Sequence, residues 1–124
     1  MVRDSLADDD PELEPLVDAL HDEDCRKIVA VLSEPMTADE VADTTEIPLS
    51  TTYRKLDKLT EASLVEEGVE IRPDGQHVNR YVVAFEEVSF ALAEDNEFEV
   101  DISRTPRSAD ERLAELWSEV RKET

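Results

Sequence analysis

The chain has 124 residues, with 33 acidic side chains against 13 lysines and arginines, a formal net charge of −20 and 40% hydrophobic residues. That length suits one compact domain with helical extensions. A single cysteine excludes an intrachain disulfide framework, two glycines exclude a glycine-rich phosphate loop, and the longest apolar runs (28–32 and 81–85) are far too short to span a bilayer.

Residues 1–10 form an acidic segment with the composition of a disordered tail and no signal-peptide core, which points to a cytoplasmic protein. Leu13, Leu16, Val17 and Leu20 have the 3-4 spacing of a short amphipathic helix opening near Pro11. Asp22 or Asp24 can cap a second helix with Cys25, Ile28, Val29 and Leu32 on its apolar face, ended by Glu34-Pro35. Thr37 and Glu40 have the spacing of a capping box, and Val41 and Ala42 give the third helix a small apolar face. The stretch 44–48 breaks the period, Pro48 pushing Ile47 out of the α region. Ser50 is expected to cap a fourth helix whose Thr52, Leu56 and Leu59 face the core. Its other side carries Thr51, Tyr53, Arg54, Lys55 and Lys58, hydroxyls and cations suited to phosphate oxygens and base edges.

After Leu64 the period changes to that of strands. Val65, Val69 and Ile71 mark one strand, Pro73-Asp74-Gly75 a turn, and 78–85 a returning strand. A hairpin directly after the second helix of a helix-turn-helix has the order of a winged helix, and its tip would offer Arg72, Gln76, His77, Asn79 and Arg80 to a phosphate backbone or minor groove. Residues 88–92 and 98–102 alternate and suggest a second hairpin, joined by the polar link 93–97. Beyond a linker with Pro106, a last helix carries Leu113, Leu116, Trp117 and Val120 on one stripe. The expected class is therefore mainly α with small β: an acidic tail (1–10), a winged helix-turn-helix (11–86), and a hairpin with a terminal helix (87–124).

Charge distribution sharpens this reading. Residues 1–24 hold ten acids and only Arg3, whereas 50–80 hold five cations against six acids and form the least repulsive surface for a polyanion. Because acids are spread along the whole chain, a salt-rich cytoplasm explains them better than an acidic partner-mimic; at 1 M salt the Debye length is about 3 Å.

Blander readings stand beside the sharper ones. Arg54 and Lys58 can pair with Asp57 and Glu61 as solvated charges, and Tyr53 fits a core as well as a DNA contact. His21 and Cys25, at i and i+4, are two ligands where zinc wants four, so neither a metal nor a cofactor is assigned. No nucleophile–His–acid arrangement appears, which argues against an enzyme. The stripe Leu113, Leu116, Trp117, Val120 can cover the chain's own core. With Leu13, Leu16 and Leu20 it can also join a two-fold partner, the expected homodimer interface.

The run 49–65, LSTTYRKLDKLTEASLV, resembles the recognition helix of ArsR-like winged-helix transcription regulators, and the acidic composition resembles that of their members in halophilic archaea. The resemblance covers Asp22 to about Phe85. It implies a dimer on an inverted-repeat operator in double-stranded DNA, with the second helix of the motif in the major groove and the wing on the flanking backbone. By position it implies that Ser50, Thr51, Tyr53 and Arg54 face DNA while Thr52, Leu56 and Leu59 are core. Ser63 stands where the family has a helix-ending glycine, so that turn must tolerate a side chain or change geometry. The family's cysteine-rich metal motif is absent. The segment after Phe85 matches nothing in the family and leaves room for an effector or partner. The competing class is a winged helix that docks on a basic protein partner without reading DNA.

Overall fold

The computed structural model describes residues 12–104; the acidic tail and the predicted terminal helix, with Leu113, Leu116, Trp117 and Val120, lie outside the described residues. Four helices are followed by two antiparallel hairpins: α1 (Leu13–His21), α2 (Glu23–Val31), α3 (Ala38–Thr45), α4 (Leu49–Glu61), β1 (Val65–Ile71), β2 (His77–Val83), β3 (Phe85–Leu92) and β4 (Phe98–Arg104). β1 pairs with β2, β3 with β4, and Met36 adds a one-residue bridge to Tyr81 of β2. That bridge ties the α2–α3 connection to the wing through Tyr81 N–H to Met36 O (2.7 Å) and Met36 N–H to Tyr81 O (3.2 Å). The fold is an α+β winged helix-turn-helix.

Local chemistry sets the helix ends. The Asp22 carboxylate accepts from the backbone N–H groups of Asp24 (2.9 Å) and Cys25 (3.2 Å), capping α2. Thr37 and Glu40 close the expected capping box on α3. At α4 the expectation is corrected: the helix starts at Leu49 with Pro48 as N-cap and no side-chain cap, so Ser50 is its second residue. Thr52 is fully buried, and its hydroxyl donates within reach of the Ile47 and Pro48 carbonyls, locking the turn between α3 and α4.

Ser63 keeps the side chain and the geometry together. Its φ is +65°, Leu64 N–H bonds Leu59 O (3.0 Å), and Ser63 N–H bonds Thr60 O (3.0 Å), the two bonds of a Schellman turn built without glycine. The left-handed region costs a residue with a Cβ about 1–2 kcal/mol. Ser63→Gly is therefore expected to raise stability by about 0.5–1 kcal/mol after the entropy of the freer unfolded chain is subtracted. Denaturant titration in molar KCl measures this; an unchanged or lower midpoint would contradict stored strain at Ser63.

Leu16, Ile28, Leu56, Leu59 and Leu64 are fully buried and draw α1, α2 and α4 onto the base of β1; Val100 and Ile102 bring β4 into the same core. Burial of side chains this size contributes about 1.5–3 kcal/mol each. Leu16, expected on a dimer surface, lies in this core, and Leu20 is half-buried against it, because α1 turns its Leu16–Ala19 side inward and leaves Leu13 and Val17 exposed.

Both hairpins use one turn chemistry. Arg72 N–H bonds Gln76 O and Ala93 N–H bonds Glu97 O, each at 2.8 Å. Asp74 and Asp95 accept from the backbone two residues on. Gly75 (φ +88°) and Asn96 (φ +66°) take the left-handed position. The predicted strand 78–85 is split at Ala84, whose N–H bonds Leu64 O (2.9 Å), so Phe85 already belongs to β3.

Candidate nucleic-acid interface

The first half of α4 and the wing border one polar groove of about 450 Å³. Tyr53 enters from α4, Arg72, His77 and Asn79 from the wing, and Thr37 and Asp39 from the start of α3. Ser50, Tyr53 and Arg54 are exposed, and Arg54 Nη2 donates to Thr51 Oγ1 (3.3 Å). Of the two readings of Tyr53, the exposed one holds: the residue is 47% exposed. Arg72, Gln76 and His77 are also exposed, at the wing's outer end.

The structure does not gather all the expected cations there. Lys55 Nζ lies 2.6 Å and Lys58 Nζ 3.2 Å from Asp22 Oδ2, and Lys58 also reaches Asp18 at 3.3 Å. The expectation that both share an exposed face with Arg54 is corrected: they sit on the flank of α4 that meets α1 and α2, because Asp22 at the α1–α2 junction draws them in. Burial alone would raise the Asp22 carboxyl, but hydrogen bonds from Lys55 and Lys58 outweigh it and hold the group well below the usual carboxylate range. The bond to Asp22 raises the Lys58 ammonium in turn.

Arg80 is likewise turned inward. Its Nε donates to Glu70 Oε1 at 2.6 Å and its Nη1 to Glu40 Oε1 at 3.1 Å. Glu40 Oε1 also accepts from Thr37 N–H, so one guanidinium links the wing to the capping box of α3. Desolvation would lower the Arg80 guanidinium, but Glu70 and then Glu40 reverse it and raise it above its usual value. Among the described residues, Arg54 and Arg72 are left as the cations bordering this face without a carboxylate partner. Sequence reading missed Thr37 and Asp39 as groove residues and Asp22 as the positioner of α4. The cap signal at Asp22 was visible, but the lysines it holds are 33 and 36 positions away.

Burial pushes Tyr81, at the floor of the groove, up to about 12, with Glu67 adding to it. Cys25 is fully buried, its Sγ 3.8 Å from Lys55 O, and burial pushes the thiol up to about 11. It behaves as a small apolar core residue rather than a reactive thiol or metal ligand.

The class defined by this fold is the winged helix-turn-helix. Residues 20–68, from the end of α1 into β1, match the family model described as a helix-turn-helix domain. Among solved structures the chain is similar to a possible transcriptional regulator from Methanosarcina mazei Go1, at 17% identity and a TM-score of 0.45 over 56% of this chain; it spans 62% of that chain. A comparison with curated proteins returned no match. Among the described residues no helix is long and apolar enough to cross a membrane.

Proposed function

We propose that the chain is a sequence-specific DNA-binding transcription regulator of the ArsR-like kind that acts as a homodimer in a high-salt cytoplasm. The observation that carries this reading is the groove shared by Tyr53 of α4 and Arg72 and His77 of the wing, with Arg54 and Arg72 free of carboxylate partners among the described residues. Arg54 is the residue for a guanine edge or phosphate, Tyr53 and Ser50 flank it, and Thr51 orients its guanidinium. The uncapped first turn of α4 leaves backbone N–H groups for a phosphate. Arg72, Gln76 and His77 set the wing on the flanking backbone. Lys55, Lys58 and Arg80 support these elements from inside and are not assigned to DNA. The outer side of α1, where Leu13 and Val17 border an open groove of about 720 Å³ with Lys58 and Glu61, is the surface assigned to the two-fold partner.

A second reading, docking on a basic protein partner, is favoured by Asp57 and Glu61, which continue the exposed face of α4 beyond Arg54. One experiment separates the two: selection of random duplex DNA by the purified chain in molar KCl, beside Arg54→Ala. The expected result is a two-fold symmetric motif with half-sites about 34 Å, or a multiple of it, apart. Arg54→Ala is expected to weaken binding about 10- to 100-fold. No enrichment by the folded protein would hand the lead to protein docking. An effect of Arg54→Ala no larger than that of the exposed Lys27→Ala on α2 would remove Arg54 from the interface.

A further inference from the structure

The second hairpin has two unlike faces. Val88 stands opposite Ile102, Phe90 opposite Val100, and Leu92 opposite Phe98. The pleat therefore collects all six apolar side chains on one face, while Ser89, Ala91, Glu99 and Asp101 take the other. Near the root this apolar face is part of the core: Val100 and Ile102 are buried and Val88 packs against them. Toward the tip it is bare, with Phe90 48%, Leu92 60% and Phe98 67% exposed. Two strands alone are marginally stable in water, and two phenylalanines with a leucine on an open ribbon call for a cover.

We propose that the chain's own segment 108–124 is that cover, its stripe Leu113, Leu116, Trp117, Val120 lying across Phe90, Leu92 and Phe98. Reach allows it. β4 ends at the hairpin root, where Arg104 Nη1 donates to Ser63 O at 2.7 Å. The eight residues 105–112 span up to about 26 Å, whereas Phe98 lies about 20 Å along the strand from Arg104. Taken as the helix that its sequence spacing predicts, the stripe 113–120 would be about 10 Å long, close to the length of the bare half of the ribbon.

Area argues against a second copy on this face. Side chains of this kind bury about 150–250 Å² each when covered, so the bare patch is on the order of 350 Å², well under the roughly 800 Å² per partner of a stable interface. Segment 105–124 balances five acids with four bases and is nearly neutral. The stripe thereby belongs to the chain's own hairpin, and α1 keeps the two-fold partner.

Trp117 is the chain's only tryptophan, which makes the test direct. Its emission in the intact chain, in molar KCl, is expected to be blue-shifted from that of the urea-unfolded chain and unchanged on dilution. Phe98→Asp, at an already exposed position, and Leu116→Asp, in the segment itself, are each expected to return it toward the unfolded value. Val17→Asp on α1 is expected to leave it in place. A solvent-like emission in the wild-type chain overturns the proposal. So does a shift that vanishes on dilution, which would mean a second copy, or one lost in Val17→Asp but kept in Phe98→Asp, which would mean docking on α1.

Discussion

Asp22→Ala is expected to destabilise the protein by about 2–4 kcal/mol, although the residue touches neither the groove nor the wing. Two losses combine. The N-cap of α2, worth about 1 kcal/mol, disappears with the bonds to the Asp24 and Cys25 amides. Lys55 and Lys58 then keep their half-buried positions without their acceptor, and breaking a buried pair from one side costs about 3–5 kcal/mol. That figure is discounted here because Lys58 is partly open to solvent and retains Asp18. Asp22→Asn preserves a good cap but not the charge, so it should lose clearly less. Urea titration in molar KCl gives both values; an alanine loss below about 1 kcal/mol, the cap alone, would mean the lysines relax into water at no cost. The pH dependence has a definite sign. Asp22 titrates lower in the folded chain than its unfolded value of about 3.9, so its contribution is present above that pH and is lost as pH falls toward the folded value. The acid limb of the stability curve should flatten in Asp22→Ala.

Asp22 also marks where sequence reading stopped. Features set within one or two helical turns were legible. The capping box at Thr37 and Glu40, the core stripe Thr52-Leu56-Leu59 and the turn at Pro73-Asp74-Gly75 all stand as expected, since their partners are three to five residues away. Which flank of α4 is outside was not legible. Lys55 and Lys58 are as plausible on a DNA face as Arg54 until α1 and α2 dock and bring Asp22 across. The first hairpin shows the same limit. Val65, Val69 and Ile71 marked the strand but not its inward face: Val69 and Ile71 are exposed and Glu70 is buried, because the register sets Glu70 opposite Val78 on the face that Arg80 covers. A glutamate can be the inward residue only with a guanidinium beside it, and pattern alone does not supply the pair. At Ser63 the sequence exposed a conflict, a side chain in a glycine position, and the backbone resolves it by accepting the left-handed geometry.

Arg80→Ala is the second large effect, and it distinguishes a residue that builds the interface from one that belongs to it. Glu70 is only 5% exposed, and Arg80 meets its carboxylate at 2.6 Å. Removing the guanidinium leaves a buried charge opposite Val78, with an expected loss of about 2–4 kcal/mol once Arg80's own partial exposure is allowed for. Arg80→Lys should recover little, because one ammonium cannot serve both Glu70 on β1 and Glu40 on α3. Arg80→Met combined with Glu70→Leu should recover most of it, since a hydrophobic pair of similar volume is often as stable as the ion pair it replaces. Arg72→Ala is the counterpart: its side chain is exposed, so stability should stay within about 0.5 kcal/mol while DNA affinity falls. If Arg80→Ala instead kept full stability and lost DNA binding, Arg80 would be a contact residue that swings out from Glu70. In the geometry observed it is the strut between wing and α3, and under the proposed function it holds the wing in place without lending its charge to DNA.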